Sequence, residues 1–141
     1  SEPLRPLAKV ASGGEAARIM LALKGVLGRV DQTPTLIFDE IDQGIGGRIG
    51  TVVGQKLWGL TESHQVFVVT HLAQLAGFAD VHFRIHKLQR GGRTITLADP
   101  LDDKGRVAEL AEMLGAQTDS GHQSAHDILM LARRVKEGQG V

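Results

Sequence analysis

Cysteine and tyrosine are both missing from the 141 residues, which hold one tryptophan and four prolines. Without cysteine there is no disulfide, no thiolate nucleophile and no cysteine-ligated zinc site. That fits a reducing cytoplasm without requiring one. Net charge is lacking as well, since 16 Lys+Arg balance 16 Asp+Glu. The balance argues against a strongly basic nucleic-acid module and against an electrostatic membrane binder. No apolar run approaches the roughly 18 residues of a membrane helix, and no signal peptide is visible. Position 1 is Ser, not Met, so a longer polypeptide is expected to contain this segment.

Glycine is what the chain has in excess: 18 residues, roughly twice the ordinary share of about 7%. The glycines cluster, which points to loops built from bare backbone. The length suits one domain with a real core, and no internal repeat or convincing domain boundary interrupts residues 1–141. Ser1–Val10 reads as an extended entry segment. From Gly13 to Val30, Ala16, Ile19, Ala22, Leu23, Val26, Leu27 and Val30 recur at helical spacing, and Met20 and Leu21 widen the apolar face. Asp31–Pro34 is a turn. Thr35-Leu-Ile-Phe38 and Val66-Phe-Val-Val-Thr70 are short apolar runs of the kind that form buried parallel strands.

Between those two runs, Gly44, Gly46, Gly47 and Gly50 mark a flexible stretch, and Ile49, Val52, Val53, Leu57 and Leu60 then take up helical period. A short helix is predicted over Leu72–Phe78. Val81, Phe83 and Ile85 alternate with His82, Arg84 and His86, and Thr94–Leu97 alternates beyond Gly91-Gly92, so an antiparallel hairpin is expected at a sheet edge. Arg106–Leu114 and Ser124–Lys136 read as closing helices separated by a polar loop, Thr118–Gln123. One α/β domain follows, with a mainly parallel core sheet flanked by helices.

Three constellations can carry chemistry. Ser12-Gly13-Gly14-Glu15, opening the first helix, is a capping box. Its two glycines are unusual in a plain cap, because each costs roughly 1 kcal/mol relative to Ala in a helix. They leave bare N–H groups at the positive helix end, a place for a phosphate oxygen. The second constellation is Asp39-Glu40-Ile-Asp42, delivered by an apolar strand to the sheet edge where α/β ligands usually sit. Asp39 suits Mg²⁺, directly or through water, and Glu40 suits polarising an attacking water. Adjacent carboxylates are costly without a cation, which favours the metal reading over a plain acidic turn. The third is His71, directly after the second strand and at the same edge if the strands run parallel, where it could donate to a terminal phosphate.

Other groups read as ordinary surface or core. His122 and His126 are i,i+4 but lack the Glu of a zincin motif. His82, Arg84 and His86 share one strand face, read as exposed. Arg133, Arg134 and Lys136 complement the dipole of the last helix and are too few for a DNA-contact claim. Trp58 reads as core filling. A metal-dependent hydrolase built on Asp39, Glu40, Asp42 and His71 is the least favoured alternative.

Taken in order, these residues resemble the C-terminal half of an ABC-type ATPase head, a P-loop NTPase. Ala11-Ser-Gly-Gly-Glu15 resembles the signature motif, Leu36-Ile-Phe-Asp-Glu40 the Walker B strand, and His71 the switch histidine. Within that class the chain is similar to the SMC-like head of the bacterial RecN family of DNA repair proteins. The likeness is closest in Val10–Glu15, Arg18-Ile-Met-Leu-Ala-Leu-Lys24, Phe38-Asp-Glu-Ile-Asp-Gln-Gly-Ile-Gly-Gly47 and Val69-Thr-His-Leu-Ala-Gln-Leu75, and covers roughly residues 3 to 115.

The resemblance implies ATP hydrolysis between two heads of a homodimer. By position, Ser12, Gly13, Gly14 and Glu15 would reach the ATP of the partner head, with the first three on its γ-phosphate. Asp39 would serve Mg²⁺, Glu40 would be the general base, and His71 would sense the γ-phosphate. In such heads the loop after Walker B usually ends in an Asp that crosses the dimer. Here Gly46 holds that register, so the crossing contact falls to backbone or to a neighbour such as Gln43 or Arg48. The phosphate loop itself is absent: no Gly-Lys dipeptide occurs, and Gly91-Gly92-Arg93-Thr94 lacks the spacing and the Lys. In RecN-like proteins the Walker A motif lies on an N-terminal lobe beyond a long coiled coil. The chain is thus expected to be the C-terminal lobe alone, inactive by itself. DNA would be a partner through the full-length protein, without a membrane, in the cytoplasm at the nucleoid. A non-enzymatic lobe whose ATP contacts only govern dimerisation is the other reading the resemblance leaves open.

Overall fold

The computed structural model describes residues 33–138. The helix predicted over Gly13–Val30 and the Ser12–Glu15 cap lie outside those residues. The elements are β1 (Thr35–Asp39), α1 (Gly47–Gly59), a 3₁₀ turn (Leu60–Glu62), β2 (Gln65–Val69), α2 (Ala73–Ala76), β3 (Phe83–Arg90), β4 (Arg93–Pro100), α3 (Asp103–Met113) and α4 (Asp119–Lys136).

The two apolar runs form the expected parallel pair, with Thr35 opposite Gln65 and Asp39 opposite Val69. Strand alternation sends Leu36, Phe38, Val66 and Val68 to one face, where they pack against Ile45, Val53, Leu57, Leu60 and Leu75. Helix α1 covers that face. It begins at Gly47, so Gly47 and Gly50 belong to the helix and not to a flexible stretch. The reason is close packing: a Cβ on Gly50 would lie 2.4 Å from Leu72, and one on Gly54 2.5 Å from the Phe78 ring. A Cβ at either position would force the Leu72 or Phe78 side chain to shift, so glycine lets α1 lie directly on the segment around α2.

β3 and β4 form the expected antiparallel hairpin, longer than the sequence suggested and turned at Gly91-Gly92, both at positive φ. Among the described residues it is a sheet separate from β1–β2. Helices α3 and α4 close a second core of Ala73, Ala76, Leu110, Ala111 and Ala125. Both start earlier than their apolar periodicity indicates. Asp102 Oδ1 accepts from the Gly105 amide at 2.7 Å, and Thr118 Oγ1 from the Gly121 amide at 3.3 Å. Each side chain satisfies a first-turn donor and fixes the helix start. Thr118–Gln123 is therefore the cap and first turn of α4 and not a loop. The Arg106 guanidinium reaches back to α2, donating through Nη2 to the Ala79 carbonyl at 2.9 Å. Burial pushes that guanidinium below its usual range, with Asp103 and Asp80 opposing.

Trp58 is half-buried and not core. Its Nε1 donates to Asp80 Oδ1 at 3.2 Å, and Lys136 Nζ lies 2.7 Å from the same oxygen and 5.3 Å from the ring centroid. This triad ties α1 to the end of α4. No helix among the described residues is long and apolar enough to cross a membrane.

Candidate functional site

The parallel register brings the acids and the histidine together. Asp39 ends β1 opposite Val69, which ends β2, and His71 follows two residues later, so Asp39, Glu40 and His71 lie at one sheet edge. Asp39 and Glu40 are exposed. Neither has an ion-pair partner among the described residues. Two neighbouring carboxylates without a counter-charge are a donor set that fits a hard divalent cation, which takes oxygen ligands.

Glu40 has a backbone φ of 55°, the one non-glycine residue with positive φ among those described. That conformation is costly for a residue with a Cβ and tends to persist where function over-determines it. It turns the chain sharply off the strand. The Glu40 carboxylate is held by Gln43, whose Nε2 donates to Oε2 at 3.1 Å. Beyond Glu40 the loop is anchored from below. Ile41 and Ile45 pack into the first core, and the Ile45 amide donates to the Asp42 carbonyl at 3.1 Å. Gln43, Gly44, Gly46 and Arg48 stay exposed on top. All three candidates for an inter-head contact, Gln43, Gly46 and Arg48, thus face outward from a seated loop.

Asp42 is the site residue that spacing alone did not single out for a distinct role. It is 2% exposed, the one buried charged residue among those described. Its Oδ2 accepts from the Thr70 hydroxyl and from the His71 amide at 2.9 Å, and lies 3.2 Å from His71 Nδ1. Burial pushes its carboxyl up, but the Thr70 and His71 hydrogen bonds more than offset this, so its pKa lies below the usual value. His71 projects outward from this anchor, its side chain 79% exposed. The available signal was the third acid of Asp39-Glu40-Ile-Asp42: an acid one residue beyond an apolar neighbour on a turning chain is a candidate to point inward.

The hairpin reverses one expectation. Val81, Phe83 and Ile85 are exposed, whereas His82 and His86 are half-buried. The covered face is the one carrying Arg84, whose guanidinium meets Glu109 of α3 at 3.4 Å. His82 Nδ1 is buried without a partner among the described residues, and burial together with the Arg106 charge lowers its pKa. His122 and His126 are exposed, and no group of three or more metal-binding side chains occurs among the described residues. A concavity of about 690 Å³, with Val107, Leu129 and Met130 among its lining, opens between α3 and α4. The cations on its rim include Arg133 and Lys136, which already face Glu137 and Asp80.

No family model matches the chain. It is 47% identical over 140 residues to the DNA repair protein RecN of Treponema pallidum, covering 98% of this chain and 24% of that protein. It is 47% identical to RecN of Mycobacterium leprae over 93% of the chain and 22% of the relative. With RecN of Bacillus subtilis the identity is 39%, over 96% of the chain and 24% of the relative. The chain thus spans about a quarter of the length of these relatives, in their C-terminal region. The likeness runs past residue 115, through nearly the whole chain. Among solved structures, an SMC ATPase chain from work on ATP-driven dimerization and DNA-stimulated activation superposes with a TM-score of 0.58. That match has 17% identity and covers 84% of this chain and 70% of the other, so it speaks to fold. The mixed fold, with its parallel pair and antiparallel hairpin, resembles that of the SMC ATPase chain.

Proposed function

For a chain that corresponds over nearly its full length to the C-terminal region of RecN-type DNA repair proteins, we propose the role of a C-terminal lobe in an ATP-hydrolysing head. The observation that carries this reading is the edge formed by Asp39, Glu40 and His71, with Glu40 held at a left-handed backbone angle. The whole of residues 1–141 acts as one lobe. A second lobe of the same polypeptide supplies the Walker A phosphate loop, which this sequence lacks. The free edge of β2 among the described residues, and the apolar face of Ile37, Phe67 and Val69 beside it, support a neighbouring lobe there.

Bound Mg²⁺–ATP would supply the bond to be cleaved and the neutralising charge. Asp39 would hold the Mg²⁺. Glu40, oriented by Gln43, takes a proton from the attacking water as general base. His71 faces the terminal phosphate from the neighbouring strand end. Ser12, Gly13, Gly14 and Glu15 reach the nucleotide of a second head, and Gln43, Gly46 and Arg48 form the loop that meets that head. The complete protein joins in an ATP-sandwich homodimer and acts on DNA in double-strand-break repair and recombination, in the cytoplasm at the nucleoid.

Glu40→Gln tests this in a polypeptide of the length of the relatives. Turnover is expected to fall by about 10²-fold or more, the usual size of a lost general base, while an ATP-held dimer persists in size-exclusion chromatography. Turnover and repair that survive the substitution would favour the non-enzymatic dimerisation lobe. The 141-residue chain alone is expected to turn over essentially no ATP.

A further inference from the structure

We infer that Asp42 is a positioning residue that locks the His71 loop to the loop after β1 and fixes the His71 ring proton on Nδ1. This rests on the proposed role of His71 for its functional consequence, but not for its geometry. One buried oxygen, Asp42 Oδ2, meets three groups of the segment after β2: the Thr70 hydroxyl, the His71 amide and His71 Nδ1. Thr70 Oγ1 in turn accepts from the Leu72 amide at 3.0 Å, which extends the same anchor to the entry of α2. A carboxylate only accepts, and its charge 3.2 Å from Nδ1 favours the ring tautomer that carries the proton on that nitrogen. In the neutral ring the proton on Nδ1 leaves Nε2 as a lone pair, directed away from the anchor. The orienting logic is that of a carboxylate behind a histidine in a hydrolytic triad.

Two consequences follow for the proposed head. A neutral His71 presents an acceptor at Nε2, suited to a water or a backbone N–H. Donation to a phosphate oxygen requires the protonated ring, for which the same Asp42 carboxylate is the counter-charge. The anchor also makes the exposed loop of Gln43, Gly46 and Arg48 and the His71 loop one mechanical unit. A displacement of His71 by nucleotide is thereby carried to the surface that meets the second head.

The test has two independent readouts. Imidazole ¹⁵N NMR of the 141-residue chain at pH 8 is expected to show His71 in its Nδ1–H form, and Asp42→Ala to convert it to the Nε2–H form. A wild-type ring found mainly as Nε2–H overturns the assignment, whatever the variant does. In a polypeptide of the length of the relatives, Asp42→Asn is expected to lower kcat by about 10-fold or more, with KM for ATP within twofold. Asn preserves the size and one acceptor, so a loss confined to KM, or no loss, overturns the positioning role. If the wild-type polypeptide itself hydrolyses no ATP, the ATPase reading fails while the tautomer measurement still decides the role of Asp42.

Discussion

Leu110, Ala111 and Ala125 have no exposure where α3 meets α4, whereas Ile37, Phe67 and Val69 on the outer face of the β1–β2 sheet are 72%, 47% and 57% exposed. The helical half closes on itself. Its helices are capped by Asp102 and Thr118, its core is small and tight, and Gly121 lets α4 start against the Ala116 carbonyl. The sheet half is closed on one face only, and β2 has one strand neighbour among the described residues. Parallel strands are normally buried on both faces. The exposed apolar residues and the polar site lie in the same half, so the part proposed to perform chemistry is also the part whose apolar face is left uncovered.

The contrast breaks most visibly under core truncation. Leu110→Ala in the 141-residue chain is expected to cost about 2–5 kcal/mol, because a fully buried leucine leaves a cavity behind. Ile37→Thr, which keeps β-branching on an exposed site, is expected to stay within about 0.5 kcal/mol. Urea denaturation of both variants measures the difference. In a polypeptide of the relatives' length the Ile37→Thr cost is expected to rise to about 1–3 kcal/mol, as the same side chain becomes buried. A cost unchanged by length would mean that the open sheet face stays open.

A second effect separates the hairpin from the site edge by pH. Burial and then the Arg106 charge lower the His82 pKa below its ordinary 6.5. The unfolded chain therefore binds the proton first as pH falls. The stabilisation is complete above about pH 6.5 and is lost as pH drops from there through the folded-state value. His82→Gln is expected to flatten the stability profile between pH 7 and that lower value, measured as the difference from wild type so that the other histidines cancel. An unchanged slope would place His82 in contact with water.

How much of this was legible from the residues differs by region. The strands were, because Thr35-Leu-Ile-Phe38 and Val66-Phe-Val-Val69 are β-rich runs with no competing helical period. So was the pairing of Asp39 and Glu40 with His71, since parallel strands deliver their carboxyl ends to one edge. Helix starts were less so, because periodicity registers apolar residues and passes over a polar first turn such as Asp119–Gln123. The α1 glycines misled, since glycine marks a flexible link or a close helix contact with the same letter. The inverted hairpin faces were illegible for a physical reason. Alternation shows that two faces differ, but a face is apolar and exposed only when its cover is elsewhere. Asp42 shows the same limit at the site: adjacent acids look alike until the backbone turn at Glu40 sends one inward.

The smallest expected effect concerns the seam between the two halves. Lys136, Asp80 and Trp58 form the contact at which the end of α4 meets α1. The Asp80 carboxylate is largely exposed, so screening keeps the ion pair weak, and the ring contact adds a comparable amount. Lys136→Met, which retains the aliphatic stem over the indole, is expected to cost about 0.5–1 kcal/mol at low salt and less at 1 M NaCl. Trp58 fluorescence during thermal unfolding reads both the stability and the local loosening. A salt-independent cost would locate the contribution in packing of the stem and not in charge. The Trp58–Asp80 hydrogen bond would then be the polar tie left in this triad, with packing of the stem on the indole carrying what Lys136 adds.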